Sequence, residues 1–301
     1  MTVLDAPTQA LRVPGSGWAR SRGPRRVNAD AAAARTSASA FAVAVADGIG
    51  DSTQSAEVAR LVADHAVASA WRRGARAAVD DVRHVLTAGL PTAPVPRIGE
   101  SRTVPNTPEW PEEDLDAHHD AHFDAEFTET ALRPVTVATP PTPAPRDFAG
   151  HPVPGNDFAR EPVVGNAVFA VASGDARGWS VAWVGDCRAY FVPEHGPAVP
   201  LTHDHTMGQY LRDRGVHTGR NLDHVVTTTA REGDPGFVLG PRGRGRLALV
   251  TDGLHRVLST DTIGHVVRTT TDPAAAAGAL IAAAAAAGTR DNACAVVVDL
   301  P

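Results

Sequence analysis

The 301-residue chain contains no lysine: its 28 basic side chains are all arginine, set against 34 acids for a formal net charge of −6. The arginines cluster only in RSRGPRR at 20–26 and PRGRGR at 241–246. A net negative chain with so little basic patterning is not expected to bind nucleic acid. Cysteine is scarce, with Cys187 and Cys294 alone. Two are too few for a disulfide scaffold and are expected as small buried thiols in a reducing cytoplasm, a single bridge staying open as the alternative. Long apolar runs are missing too. The longest, AAAAGALIAAAAAAG at 274–288, is too short and too alanine-rich to cross a bilayer, and the N-terminus shows no charged start followed by an apolar stretch. A soluble, cytoplasmic protein without a membrane partner is expected. Hydrophobic residues at 43% and charged ones at 21% suffice for a large core, which excludes wholesale disorder.

Proline is abundant, with 24 residues, but unevenly placed. Fourteen of them fall between Pro91 and Pro162, where they interrupt any helix or central strand. The chain is therefore read as one domain, 1–301, interrupted by a disordered insertion at about 91–162. Within it, His118, His119 and His122 stand among acids in EEDLDAHHDAHFDAEF. No cysteine accompanies them and no core surrounds them, so a solvated stretch is favoured over a metal tract.

Outside the insertion the patterning is orderly. FAVAVA at 41–46 reads as a strand, and 53–73 as a helix with Val58, Leu61, Val62, His65 and Trp71 near one face, capped by Asp51, Ser52 or Thr53. A second helix is expected over 75–90. After the insertion, strands are expected at 163–173, 178–185, 187–192, 246–251 and 293–300, with helices at 252–269 and 272–288 between the last two, the second opened by Asp272 and Pro273. Consecutive strands with tight links imply antiparallel pairing, and helix pairs flanking them imply an α+β sandwich.

Four strand-like runs carry an aspartate at one end: FAVAVADG, WSVAWVGDCR, LALVTDG and GTRDNACAVVV. Each alone is an ordinary turn former. Together Asp47, Asp186, Asp252 and Asp291, with Asp30 as a fifth, would repel one another on one rim unless cations lay between them. Oxygen ligands select hard ions, so Mg2+ or Mn2+ is implied over zinc. Carboxylates holding two such ions about 3.5 to 4 Å apart are the usual apparatus for activating water against a phosphate ester.

ADGIG, VGDCRAYF, LTHDHT, LVTDGLHRVLS and GTRDNACAVVV, in this order, resemble the motifs of the metal-dependent protein phosphatases, the 2C-type (PPM) Ser/Thr phosphatases, in their bacterial form. The resemblance covers roughly 20–85 and 163–300. It implies a four-layer αββα sandwich of two antiparallel sheets flanked by helix pairs, and a protein-serine/threonine phosphatase, a phosphoric monoester hydrolase, with two or three Mn2+ or Mg2+ ions. By position, Asp47 is similar to the metal-bridging aspartate and the Gly48 carbonyl to a further ligand. Asp252 and Asp291 resemble the remaining direct ligands of one ion, and Asp186 the acid that, with Asp252, holds a third. Asp30 falls in RRVNAD where the family has an acidic pair, and Arg25 matches the arginine that clamps the substrate phosphate through its fork of donors.

The implied chemistry is in-line attack on phosphoserine or phosphothreonine by a metal-bridging hydroxide, the water pKa being lowered from 15.7 to about 7. Phosphorylated proteins are the implied partners, together with a cognate Ser/Thr kinase. Two departures bear on this. Where the family has a histidine that protonates the leaving alkoxide, this chain has Ser52, too weak an acid to do so, which leaves that role to water or to another histidine such as His205. Ala29 stands where relatives carry a polar side chain, removing an outer hydrogen bond. Segment 207–224 corresponds to a variable flap beside the site. The alternative is a catalytically weak, phosphatase-fold regulatory or binding module.

Overall fold

The computed structural model describes residues 9–13, 15–88 and 164–300. In chain order the strands are β1 (Gln9–Val13), β2 (Ser16–Ser21), β3 (Asp30–Thr36), β4 (Ala40–Gly48), β5 (Ala167–Asp175), β6 (Gly178–Val184), β7 (Arg188–Pro193), β8 (Val199–Pro200), β9 (Gly236–Leu239), β10 (Gly245–Val250) and β11 (Ala293–Asp299). The helices are α1 (Thr53–Arg73), α2 (Ala75–Thr87), α3 (Met207–Arg212), α4 (Asp252–His255), α5 (Thr260–Thr269) and α6 (Pro273–Ala286). Two antiparallel sheets result, ordered β1-β2-β11-β10-β7-β8 and β3-β4-β5-β6-β9. The insertion and its three histidines lie outside the described residues.

The layering follows from alternation along strands buried on both faces. In β4, Phe41, Val43 and Val45 point between the sheets, where they meet Phe191, Leu247, Leu249 and Val296. Ala42, Ala44 and Ala46 point the other way, beneath α1 and α2. Small residues on that face let the helices settle close to the sheet, and α1 answers with Ala59, Ala63, Ala66 and Ala70 on its inner side. The second sheet repeats the scheme: Ala248, Val250, Ala295 and Val297 face α5 and α6 through Ile263, Val267, Leu280 and Ile281. The expected four-layer αββα sandwich is thus the observed one.

Several elements differ from expectation. The stretch 252–269 is two helices, because Ser259 turns out of α4 and caps α5, its Oγ accepting the Thr262 N–H at 3.1 Å. The tight link between β6 and β7 is no hairpin: β6 pairs with β5 and β9, whereas β7 pairs with β10 in the other sheet. Gly185 makes that crossing, with φ +80° and no room for a Cβ, which would lie 2.1 Å from Val168. Strands β1, β2, β3, β8 and β9 and helix α3 lie outside the expected elements. Of the α1 face, Val58 and Val62 are buried, while Leu61, His65 and Trp71 are only partly so, because alanines take the central positions. Both cysteines are free and buried between the sheets. Among the described residues no helix is long and apolar enough to cross a membrane.

Arg231 joins the two described segments that flank residues 89–163. Its Nη1 donates to the Leu86 carbonyl at 2.6 Å and its Nε to the Gly165 carbonyl at 2.7 Å, so the chain on either side of residues 89–163 is held at one point.

Candidate active site

The antiparallel order brings all five aspartates to one rim. Asp47 lies at the end of β4 and Asp30 begins β3, Asp186 follows β6, Asp252 follows β10 and Asp291 precedes β11. A cleft of about 270 Å³ opens there, lined by Arg25, Asp47, Gly48, Asp186, Asp252 and Asp291 among others. Six of the seven residues expected at the site on sequence grounds therefore share one cavity. Asp30, the seventh, is buried at 1% exposure and is not among the lining residues, although it is the direct cross-strand partner of Asp47.

Burial and mutual repulsion set the electrostatics. Loss of solvent raises Asp47 well above the ordinary carboxylate range, and the charges of Asp30, Asp252, Asp186 and Asp291 add to it. Asp30 is raised chiefly by burial, against the lowering effect of Thr251, whose Oγ1 donates to its Oδ2 at 2.7 Å. Burial likewise lifts Asp186 to about 7 and raises Asp252. A rim that holds its protons this tightly favours a cation beside it.

Arginines answer part of that demand. Arg25 Nη2 lies 2.8 Å from Asp291 Oδ2 and its Nε donates to the Arg290 carbonyl at 3.3 Å. Arg256 spans two acids, with Nη1 2.8 Å from Asp252 Oδ2 and Nη2 3.0 Å from Asp186 Oδ2. Asp47 takes no side-chain hydrogen bond or ion pair among the described residues, and Asp30 Oδ1 is buried without a partner. The donors left open are thus oxygen atoms, which fit a hard divalent cation. Among the described residues, no group of three or more acidic, histidine or cysteine side chains is gathered closely enough to hold an ion as the side chains now stand.

Buried scaffolding fixes the loop that carries Arg25. Asn292 accepts the Ala29 N–H at 2.8 Å and donates to the carbonyls of Arg22 at 2.8 Å and Val27 at 3.0 Å. Ala29 is buried at the cleft wall, where its carbonyl receives the Gly48 N–H at 3.0 Å. The LTHDHT motif also serves as scaffolding, since Asp204 grips Arg188 in a fork, at 2.8 and 2.6 Å.

Ser52 acts as the N-cap of α1, accepting the Ser55 N–H at 3.1 Å, so Ser52 and not Asp51 or Thr53 is the cap. Asp51 lines the cleft instead. His205 does not line it: this ring stacks on Trp183 at 5.8 Å, bonds through Nδ1 to Thr228 Oγ1, and is pushed below its ordinary pKa by burial. The imidazole in the cleft is His224, whose Nδ1 meets Arg256 Nη1. Sequence patterning singles out neither Arg256 nor His224. Arg256 does stand four residues after Asp252, a spacing that is a signal for it.

Solved structures share this architecture. The PPM Ser/Thr phosphatase MsPP from Mycobacterium smegmatis, in complex with cacodylate, superposes with a TM-score of 0.58 at 19% identity, over 95% of this chain and 98% of its own. The fold is that of the bacterial PPM phosphatases. Staphylococcus aureus Stp1 gives 0.61 at 13% identity over 100% and 98% of the two chains. The catalytic domain of the phosphatase PstP, in complex with two manganese ions, gives 0.56 at 17% over 94% and 96%. No protein-family model matches the sequence, and no curated protein matches it.

Proposed function

We propose that this chain is a divalent-metal-dependent phosphatase acting on phosphoserine and phosphothreonine in proteins. The observation that carries the reading is the convergence of Asp47, Asp186, Asp252, Asp291 and Arg25 on one cleft of a PPM fold. Asp47 and the Gly48 carbonyl, with Asp252 and Asp291, are the groups that would hold Mn2+ or Mg2+, with Asp30 supporting Asp47 from beneath. When bound, such ions supply Lewis acidity, acidifying water near neutral pH and screening the charge of a phosphate.

The chain's own groups do the rest. Arg25 is more than two-fifths exposed at its side chain and is held only at the cleft edge, so its guanidinium is free to turn from Asp291 to two oxygens of an incoming phosphate. The loop strapped by Asn292 sets the direction from which it does so. His224 Nδ1 accepts from Arg256, which leaves the proton of the neutral ring on Nε2. To protonate a departing alkoxide in place of the acid that Ser52 does not provide, His224 must first leave Arg256 and take a second proton on Nδ1, since only the imidazolium is acidic enough near neutral pH. Phosphoproteins, and a kinase that phosphorylates them, are the partners this chemistry fits.

One observation favours a second reading, a phosphatase-fold regulatory module with little turnover: Arg256 already neutralises two of the acids. Hydrolysis of p-nitrophenyl phosphate with added Mn2+, followed by phosphopeptides, decides between them. Turnover of both that is abolished by chelation supports the phosphatase; phosphopeptide binding without turnover supports the module.

A further inference from the structure

Arg256 is placed by a short helix and held on every side. It stands four residues beyond Asp252, just past the end of α4, and reaches back to Asp252 Oδ2 at 2.8 Å and across to Asp186 Oδ2 at 3.0 Å. Its Nη2 also donates to the Asp223 carbonyl at 3.2 Å, and its Nη1 meets His224 Nδ1. The two acids it joins are almost wholly buried, with side chains 5% and 10% exposed. A guanidinium between two carboxylates is what a site with two adjacent buried anions needs, since either acid left alone there would carry a large desolvation cost. Arg256 and His224 also line a second cavity, of about 400 Å³, whose lining does not include Asp47, so the guanidinium borders both spaces.

We propose that Arg256 is the permanent cation between Asp186 and Asp252, so that no divalent ion loads between those two acids, Asp252 still serves beside Asp47 and Asp291, and the chain binds one ion fewer than its carboxylates alone would accept. This inference rests on the metal-dependent reading of the site. The asymmetry of the cluster supports it: Asp186 and Asp252 share a built-in positive charge, whereas Asp47 has neither a side-chain hydrogen bond nor an ion pair among the described residues and Asp30 keeps one oxygen orphaned. The same guanidinium bonds the Asp223 carbonyl, and Asp223 Oδ1 pairs with Arg212 of α3 at 2.7 Å. Arg256 thereby ties the segment after α3 to the acids, a link that a hydrated ion would not make to both.

The test counts ions rather than turnover. Mn2+ is titrated into the full chain at neutral pH while the paramagnetic resonance signal of free Mn2+ is read, for wild type, Arg256→Ala, Asp186→Asn and the double variant. Arg256→Ala is expected to bind one more ion than wild type, and the double variant to return to the wild-type count. Asp186→Asn by itself is expected to leave the count unchanged, which keeps the test valid if Arg256→Ala does not fold. Loss of one ion in Asp186→Asn, or an unchanged count in folded Arg256→Ala, would overturn the proposal. The phosphatase reading fails separately, through absence of Mn2+-dependent hydrolysis in the wild type, and a gained ion in Arg256→Ala would still establish the role of Arg256.

Discussion

Asp30 and Asp47 sit directly opposite each other on neighbouring strands, the first pair in the register of β3 with β4. Like charges in that relationship destabilise a sheet, and here one partner is fully buried with an oxygen unbonded. A cation at this rim would relieve that repulsion.

The first prediction concerns pH. Asp30, Asp47 and Asp252 have raised pKa values and Asp186 titrates near 7, against an ordinary 3.8, so between these limits the folded chain binds more protons than the unfolded one. Stability of the chelated protein should therefore fall as pH rises from about 4 through about 7, the raised carboxyls favouring folding on the acid side of that window. Thermal unfolding with a chelator should show Tm decreasing over this range, and added Mn2+ should flatten the slope. A chelated protein with the same Tm throughout would mean that the acids are not desolvated as the geometry requires.

Replacing Asp47 by Asn separates function from folding. The change removes a charge that repels four neighbours, so the chelated variant should melt no lower than wild type, while hydrolysis of p-nitrophenyl phosphate should drop by at least ~100-fold. Asp252→Asn should lose activity similarly but also strand Arg256, with a lower Tm. Unchanged turnover in either variant would place the chemistry elsewhere.

A third prediction uses Arg231. Because its guanidinium holds the carbonyls of Leu86 and Gly165 together, a short glycine-serine linker in place of residues 89–163 should leave a single cooperative unfolding transition and Mn2+-dependent activity. Arg231→Ala should cost about 1–3 kcal/mol in either background, through two lost bonds to carbonyls. Failure of the shortened chain to fold would show that the replaced segment contributes to the core.

Much of the fold is legible in the residues alone. The run 53–73 matches α1 residue for residue, since a polar cap, a long periodic stretch and Gly74 mark both ends. Strand β3 is not legible because DAAAART has no bulky alternation; its Ala31 matters only once α1 lies over it. The crossing at Gly185 reads as a hairpin because a short link looks the same whether the chain turns back or changes sheet. In the site, aspartates at strand tips are visible as a recurrence of one residue type at one structural position. Arg256 is marked only by standing four residues after Asp252, and His224 is not visible at all, because its place depends on how 207–224 returns to the rim and no periodicity records that.

The fate of the leaving-group proton gives the last prediction. Ser52 caps α1, so Ser52→His should cost about 1 kcal/mol in stability. His224, in contrast, lines the cleft, and it becomes an acid when Arg256 releases Nδ1 for a second proton. A nitrophenolate departs without a proton whereas a serine alkoxide does not, so a histidine acting as acid matters to one ester and not the other. His224→Ala should thus lower kcat/KM for a phosphoserine peptide by roughly 10- to 100-fold while leaving p-nitrophenyl phosphate little changed. In the same pair of assays Ser52→His should restore the peptide activity of the His224→Ala protein only if a side chain at 52, released from capping, can reach the leaving oxygen. Equal losses on both esters in His224→Ala would assign His224 to positioning Arg256 rather than to proton transfer, and the pH profile would then keep its basic limb in the variant.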